Sequence, residues 1–163
     1  MDKNSLSLDS VDLQLLRELQ TDAGRSNQAL AQLLHLSPPT CLRRVKRLES
    51  LGLIERQVAI LNSERLAAVI GHGLQAIVEV SLDRQDAASL LGFEQRAVAE
   101  SAVQQCWRVS PGPDFILIVA TQDMPSYLEL SQRLFTQDAN VRNVKTFFSV
   151  KRAKFSTSLP IKP

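Results

Sequence analysis

The sequence predicts an α+β protein: an N-terminal winged helix-turn-helix followed by a C-terminal ferredoxin-like βαββαβ sandwich. Three features carry that prediction. Apolar residues recur at helical spacing from residue 8 to residue 52, whereas from residue 73 they alternate. Within the first region, LSPPTCLRRVKRLESLG at 36–52 sets two prolines directly ahead of Arg43, Arg44, Lys46 and Arg47. In the second, strand and helix patterns follow one another in the order β-α-β-β-α-β.

The first helix starts at Asp9, a good N-cap, with Leu8 and Leu13 placed to form a hydrophobic staple across it. Val11, Leu15, Leu16 and Leu19 line its apolar face. The stretch DAGRS at 22–26 ends the pattern at Gly24, and Ser26 caps a short second helix carrying Leu30, Leu33 and Leu34. The turn HLS follows at 35–37. His35 stands where glycine often supplies a positive φ, a conformation histidine tolerates better than most residues.

Ser37 then caps a third helix. Pro38 falls at its first position and Pro39 in its first turn, where a missing N–H had no intrahelical partner in any case. The Ser37 oxygen must therefore cap the amide of Thr40. At about 100° per residue, Cys41, Leu42, Val45 and Leu48 fall on one side of this helix. Thr40, Arg43, Arg47 and Ser50 fall on the other, flanked by Arg44 and Lys46. A run of cations is ordinarily a solvated face. On the second helix of a helix-turn-helix, behind a rigid start, it points instead to DNA. LESLGLIERQVAIL reads as a glycine-terminated helix end and a β pair, the wing.

The sheet region opens with GLQAIVEVSL, which sets Leu74, Ala76, Val78, Val80 and Leu82 on one face. A helix bearing Leu90, Leu91, Phe93 and Ala97 follows. The strands VQQCWRVS and FILIVAT, joined by PGPD, come next. Asp123 caps a helix with Met124, Tyr127, Leu128, Leu134 and Phe135, and VRNVKTFFSVKR is the last strand. FILIVA is apolar on both faces, yet two helices cover only one. The uncovered face predicts a homodimer through this half, which presents two helix-turn-helix units to one DNA. The expected divisions are residues 1–60, a connector 61–72, the sheet domain 73–155 and a tail 156–163.

Composition sets the limits. With 163 residues and 44% hydrophobic content, the chain builds a packed core and is not a disordered polymer. Its net charge of +2 says little, but the distribution says more. Residues 37–58 carry 5 basic and 2 acidic side chains, and residues 142–163 carry 6 basic and none acidic. Local patches of this kind decide binding to phosphates. Cys41 and Cys106 form no metal pair and read as reduced thiols within apolar segments. The start MDKNSLSLDSVDLQ lacks the apolar block of a signal peptide, so a cytoplasmic protein without cofactor is expected.

The segments LDSVDLQLLRELQTDAGRSNQALA, LSPPTCLRRVKRLESLGLI, VSPGPDFILIV and KFSTSLP resemble the Lrp/AsnC (feast/famine) transcriptional regulators, over roughly residues 8 to 160. The resemblance implies dimers that build tetramers, octamers or rings, with an amino-acid effector held between dimers. It assigns DNA contact to Asn27, Ser37, Pro39, Thr40, Arg43, Arg44, Lys46 and Arg47. It assigns effector binding to the turn Ser110, Gly112, Asp114 and Phe115, with Met124, Phe148, Ser149 and Val150. Here the turn contains Pro111 and Pro113, each lacking an N–H, so mainly Gly112 and Asp114 remain to receive a carboxylate. The expected effector is thus an apolar or aromatic amino acid walled by Met124 and Phe148, or one that binds weakly.

Two other functions fit the same family likeness. One is an architectural DNA-wrapping protein with little sequence preference. The other is a tetrapyrrole (siroheme) decarboxylase, for which His35, His72 and Tyr127 offer few groups and no nucleophile–base pair. If α-helical cations read bases, replacing Arg43 or Arg47 with alanine costs ~1–3 kcal/mol at a cognate site and flattens preference there. Competition binding against single-base operator variants measures this.

Overall fold

A computed structural model of the chain describes residues 7–71 and 73–162; His72 and the ends of the outer divisions lie outside it. The chain forms two compact units. One comprises Met1–Ile60 with Lys154–Pro163, the other Leu61–Ala153.

The first unit is built on three helices: α1 (Ser10–Thr21), α2 (Asn27–Leu33) and α3 (Pro38–Ser50). Each starts where its cap dictates. Asp9 accepts from the Asp12 amide at 2.9 Å, and the Asp12 side chain accepts in turn from the Asp9 amide, a reciprocal capping box. Ser26 accepts from the Ala29 amide. Ser37 accepts from the Thr40 amide, as the prolines require, though at 3.4 Å, and it shares a 2.8 Å contact with the Thr40 hydroxyl.

The helix ends are equally specific. At the end of α2, the Leu36 amide reaches back to the Ala31 carbonyl and the His35 amide to Gln32. His35 itself sits at φ 54°, the left-handed position inferred from the sequence. The same pair of bonds, Leu53 to Leu48 and Gly52 to Glu49, closes α3 around Gly52 at φ 68°. Leu15, Leu19, Leu30, Ala31, Cys41 and Leu48 make the core of this unit, with Leu8, Leu16, Leu34, Leu36, Val45 and Ile54 packed against it.

Two features depart from the sequence reading. The β pair of the wing does not form: residues 54–62 carry no strand, and Val58, Ile60 and Leu61 are exposed. A strand needs a ladder partner, and the polar triplet Glu55-Arg56-Gln57 breaks the alternation that would mark one. The tail, in turn, is not separate. Gln20 on α1 donates to the Leu159 carbonyl at 3.0 Å and accepts from the Leu159 amide at 2.9 Å, pairing with it as a neighbouring strand would.

The second unit begins with α4 (Ser63–Ile70), a helix within the segment read as a connector, capped by Asn62 on the Arg65 amide. Then come β1 (Leu74–Leu82), α5 (Ala87–Ala99), β2 (Val103–Arg108), β3 (Phe115–Thr121), α6 (Met124–Ser131), continued by a wider turn Gln132–Thr136, and β4 (Val141–Phe148). The sheet is antiparallel in the order β2-β3-β1-β4, which is the ferredoxin-like topology. Ala76, Val78, Val80 and Leu82 of β1 and Phe115, Leu117 and Val119 of β3 pack against Phe93, Ala97, Tyr127, Leu130, Leu134 and Phe135 from the helices. The Phe93 and Phe115 rings lie 4.9 Å apart at its centre. Leu91 and Leu128, expected on the covered faces, are exposed instead.

The other sheet face has no helix over it. Register sets Gln105, Ile118, Ile77 and Phe147 in one row across it, and Trp107, Ile116, Glu79 and Lys145 in the next. Trp107 is 58% and Phe147 53% exposed. No helix among the described residues is long and apolar enough to cross a membrane.

Acid should loosen these helix starts. Hydrogen bonds from Ser89 hold the Asp86 carboxyl below its ordinary value, and those from Ser126 do the same for Asp123. A lowered folded-state value stabilises above the ordinary aspartate range, and that contribution is lost as the pH falls through it. Melting temperature should therefore drop below about pH 4, and Asp86→Asn with Asp123→Asn, which keep neutral caps, should shrink the drop.

Candidate nucleic-acid interface and effector turn

The α3 cations divide into two kinds. Arg43 and Lys46 are exposed and make no ion pair or hydrogen bond among the described residues. Arg44 and Arg47 are held. Arg44 Nη1 donates to Asp12 Oδ1 at 2.7 Å and lies 2.8 Å from Asp9 Oδ2. Arg47 donates from Nη1 to Asp12 Oδ2 at 3.0 Å and from Nη2 to the Ser7 carbonyl at 2.9 Å. Asp12 is the buried acid of this unit, 1% exposed, so each of its oxygens carries a guanidinium of the opposite helix. The Asp12 contact, together with Asp9, holds the Arg44 guanidinium even more firmly protonated than usual. The Asp12 backbone bond and Arg44 lower the Asp9 carboxyl. Ser7, Asp9, Asp12, Arg43, Arg44 and Arg47 together line a shallow depression.

The sequence reading missed Asp12, although its signal was present. Positions 12, 15, 16 and 19 have the spacing of an apolar stripe, and a carboxylate on such a stripe needs a cation from the facing helix. The remaining expected DNA contacts lie at the front of α3. Ser37 and Pro39 are exposed and Thr40 is half-buried. Asn27, at the start of α2, donates to the Pro38 carbonyl at 2.8 Å and so ties the two helices of the motif together. Its Oδ1 is buried without a partner.

In the second unit the turn aspartate is committed to the fold. The Leu82 amide donates to Asp114 Oδ2 at 2.7 Å, and the Asp114 amide donates to the Val80 carbonyl at 2.9 Å. These bonds close the end of the β1–β3 pairing, just past its last pair, Val80 with Phe115. Asp114 Oδ1 makes no hydrogen bond among the described residues. Gly112, at φ 125°, and Ser110 are exposed beside it, whereas Phe115 is fully buried and packs on Phe93.

Met124 and Phe148 are exposed, with the Phe148 ring edge-on to Tyr127 at 5.1 Å. The Ser149 amide extends the pairing of β4 by donating to the Gln75 carbonyl. Phe148 pairs with Ala76, while Asp114 is bonded at Val80 and Leu82. Within one chain, the two halves of the expected effector set thus sit at opposite ends of β1, separated by four to six residues, about 13–20 Å of strand.

Cys41 is buried and Cys106 half-buried, and burial raises both thiols. No group of three metal-ligating side chains occurs among the described residues.

Comparisons with known proteins show the family. Residues 8–49 match the family model described as the AsnC-type helix-turn-helix domain, and residues 75–159 match the Lrp/AsnC ligand binding domain. The leucine-responsive regulatory protein of Rhizobium meliloti is 33% identical over 96% of this chain and 97% of its own length. The DNA-binding transcriptional activator DecR of Escherichia coli is 33% identical over 94% of this chain and 99% of its own. A transcriptional regulator from Neisseria meningitidis, solved as a complex with L-Met, superposes with a TM-score of 0.82 at 28% identity, covering 94% of this chain and 97% of that one.

Asp114→Ala strands the buried Leu82 amide and should cost about 1–3 kcal/mol, with faster amide exchange at Leu82. Asp114→Asn keeps an acceptor and should behave nearly as the parent in the same denaturation and exchange measurements.

Proposed function

The chain belongs to the Lrp/AsnC family and is a DNA-binding transcriptional regulator of that type; on this premise we propose how it binds, senses and assembles. The front of α3 enters the major groove. Ser37, Pro39 and Thr40 lie against the backbone, and Arg43 and Lys46 supply the contacts that reach bases or phosphates. Asn27, Arg44 and Arg47 act by holding α3 in place. The observation that carries this reading is the division of the cations, two free on the exposed face and two locked to Asp12.

The protein works as a dimer closed through the open face of its sheet. Support comes from Ile77 and Ile118 on the two central strands, flanked by Ile116, Trp107 and Phe147 on a face that no helix covers. The effector is a small amino acid, a reading supported by the L-Met complex of the Neisseria regulator. It binds where dimers meet. The separation of Asp114 from Met124, Phe148 and Val150 along one chain favours a site completed by two copies, with Asp114 Oδ1 facing the ammonium and the Gly112 region the carboxylate. Higher assemblies of dimers follow from that arrangement.

Fragments selected from the host genome test the regulatory role. A few promoter sites should survive excess unrelated DNA, and L-methionine or another apolar amino acid should change their occupancy. Uniform recovery of all fragments would instead indicate an architectural protein. For the dimer, Ile77→Glu sets a charge at the centre of the open face. It should halve the mass seen in sedimentation and weaken binding to a two-half-site operator at least tenfold, while α3 is unchanged.

A further inference from the structure

Asp9, Asp12, Arg44 and Arg47 form a cluster whose two negative and two positive charges cancel. Of the four cations that α3 carries between residues 43 and 47, only Arg43 and Lys46 are then left to present net charge. Arg47 is 42% exposed and lies one helical turn from Arg43, on the same side of the helix. A phosphate near Arg43 is therefore within reach of Arg47 as well. To take it, Arg47 must leave a buried carboxylate that keeps only one other guanidinium, and it must turn away from the Ser7 carbonyl.

We propose that Asp12 is a specificity-determining residue of the DNA-binding unit: it withholds Arg44 and Arg47 from phosphates that any sequence offers. Non-specific affinity grows with the number of phosphates neutralised, whereas base reading depends on where Arg43 is aimed. Locking two cations lowers the first and steadies the second, so the ratio of cognate to non-cognate binding rises. Asp12 touches no base. It acts through the arginines as a positioning residue, and the proposal rests on the reading of α3 as the DNA-contacting helix.

The test is the salt dependence of binding to a random-sequence duplex, measured for the full chain and for Arg43→Gln, Arg47→Gln, Asp12→Asn and Asp12→Asn/Arg47→Gln. Each phosphate contact contributes about 0.9 to the slope of log affinity against log salt. Arg43→Gln should lower the slope by about that amount, and Arg47→Gln by clearly less. Asp12→Asn should steepen it and tighten random-sequence binding, and adding Arg47→Gln should remove most of that gain. An equal effect of Arg47→Gln with and without Asp12 overturns the proposal, because a merely structural Asp12 does not couple to Arg47 in this readout. Melting curves establish whether Asp12→Asn folds. If it does not, the comparison of Arg43→Gln with Arg47→Gln decides alone, and equal losses overturn the proposal. Should Arg43→Gln change nothing, the assignment of α3 itself fails, a separate result, and the proposal falls with it.

Discussion

A buried carboxylate has to be matched by cations, and in this protein the match is made across two helices. Asp12 leaves α1 on the stripe that also carries Leu15 and Leu19, and the partners that neutralise it come from the middle of α3. Removing both arginines would leave the Asp12 charge buried and uncompensated, a loss of several kcal/mol. The core beneath holds six buried side chains among the described residues. The Asp12 pairs add a polar link between α1 and α3. Asn27, bonded to the Pro38 carbonyl, and Ser37, capping Thr40, fix the front of the same helix. What meets DNA is then decided by which side chains these bonds leave over.

The second unit is governed by a different constraint, that of a sheet with one face covered. Alternation along β1 and β3 fills the covered side with a continuous core, and a one-residue slip would invert it. Asp114 secures the end of the β1–β3 ladder by taking the Leu82 amide, which lies beyond the last pair, Val80 with Phe115. The turn that the family likeness links to the effector is thus also part of the frame of the sheet. The opposite face carries Trp107 and Phe147, both exposed, beside three isoleucines.

Much of this was legible in the residues. The caps at Asp9, Ser26, Ser37 and Asp123, the left-handed His35, the closing Gly52 and the change of period at residue 73 all follow from local chemistry, and the structure has each of them. The partition of the α3 cations was half legible: Asp12 on the apolar stripe of α1 called for a cation, but nothing local said which of the four would meet it. Leu42, Leu91 and Leu128 read as core and are exposed, since helical spacing cannot say how wide the covered stripe is. The missing wing has a similar cause: whether 54–62 pairs as a strand depends on a partner that no local pattern specifies. The separation of Asp114 from Phe148 depends on strand register, which appears only when the sheet is assembled.

The account stands or falls on how α3 meets its operator. A structure of the protein bound to a selected promoter site tests it most directly. It should show α3 in the major groove, Arg43 at a base edge or phosphate, and Arg44 and Arg47 still within about 3.2 Å of Asp12. Arg44 and Arg47 released from Asp12 onto the DNA, or α3 lying outside the groove, would contradict it.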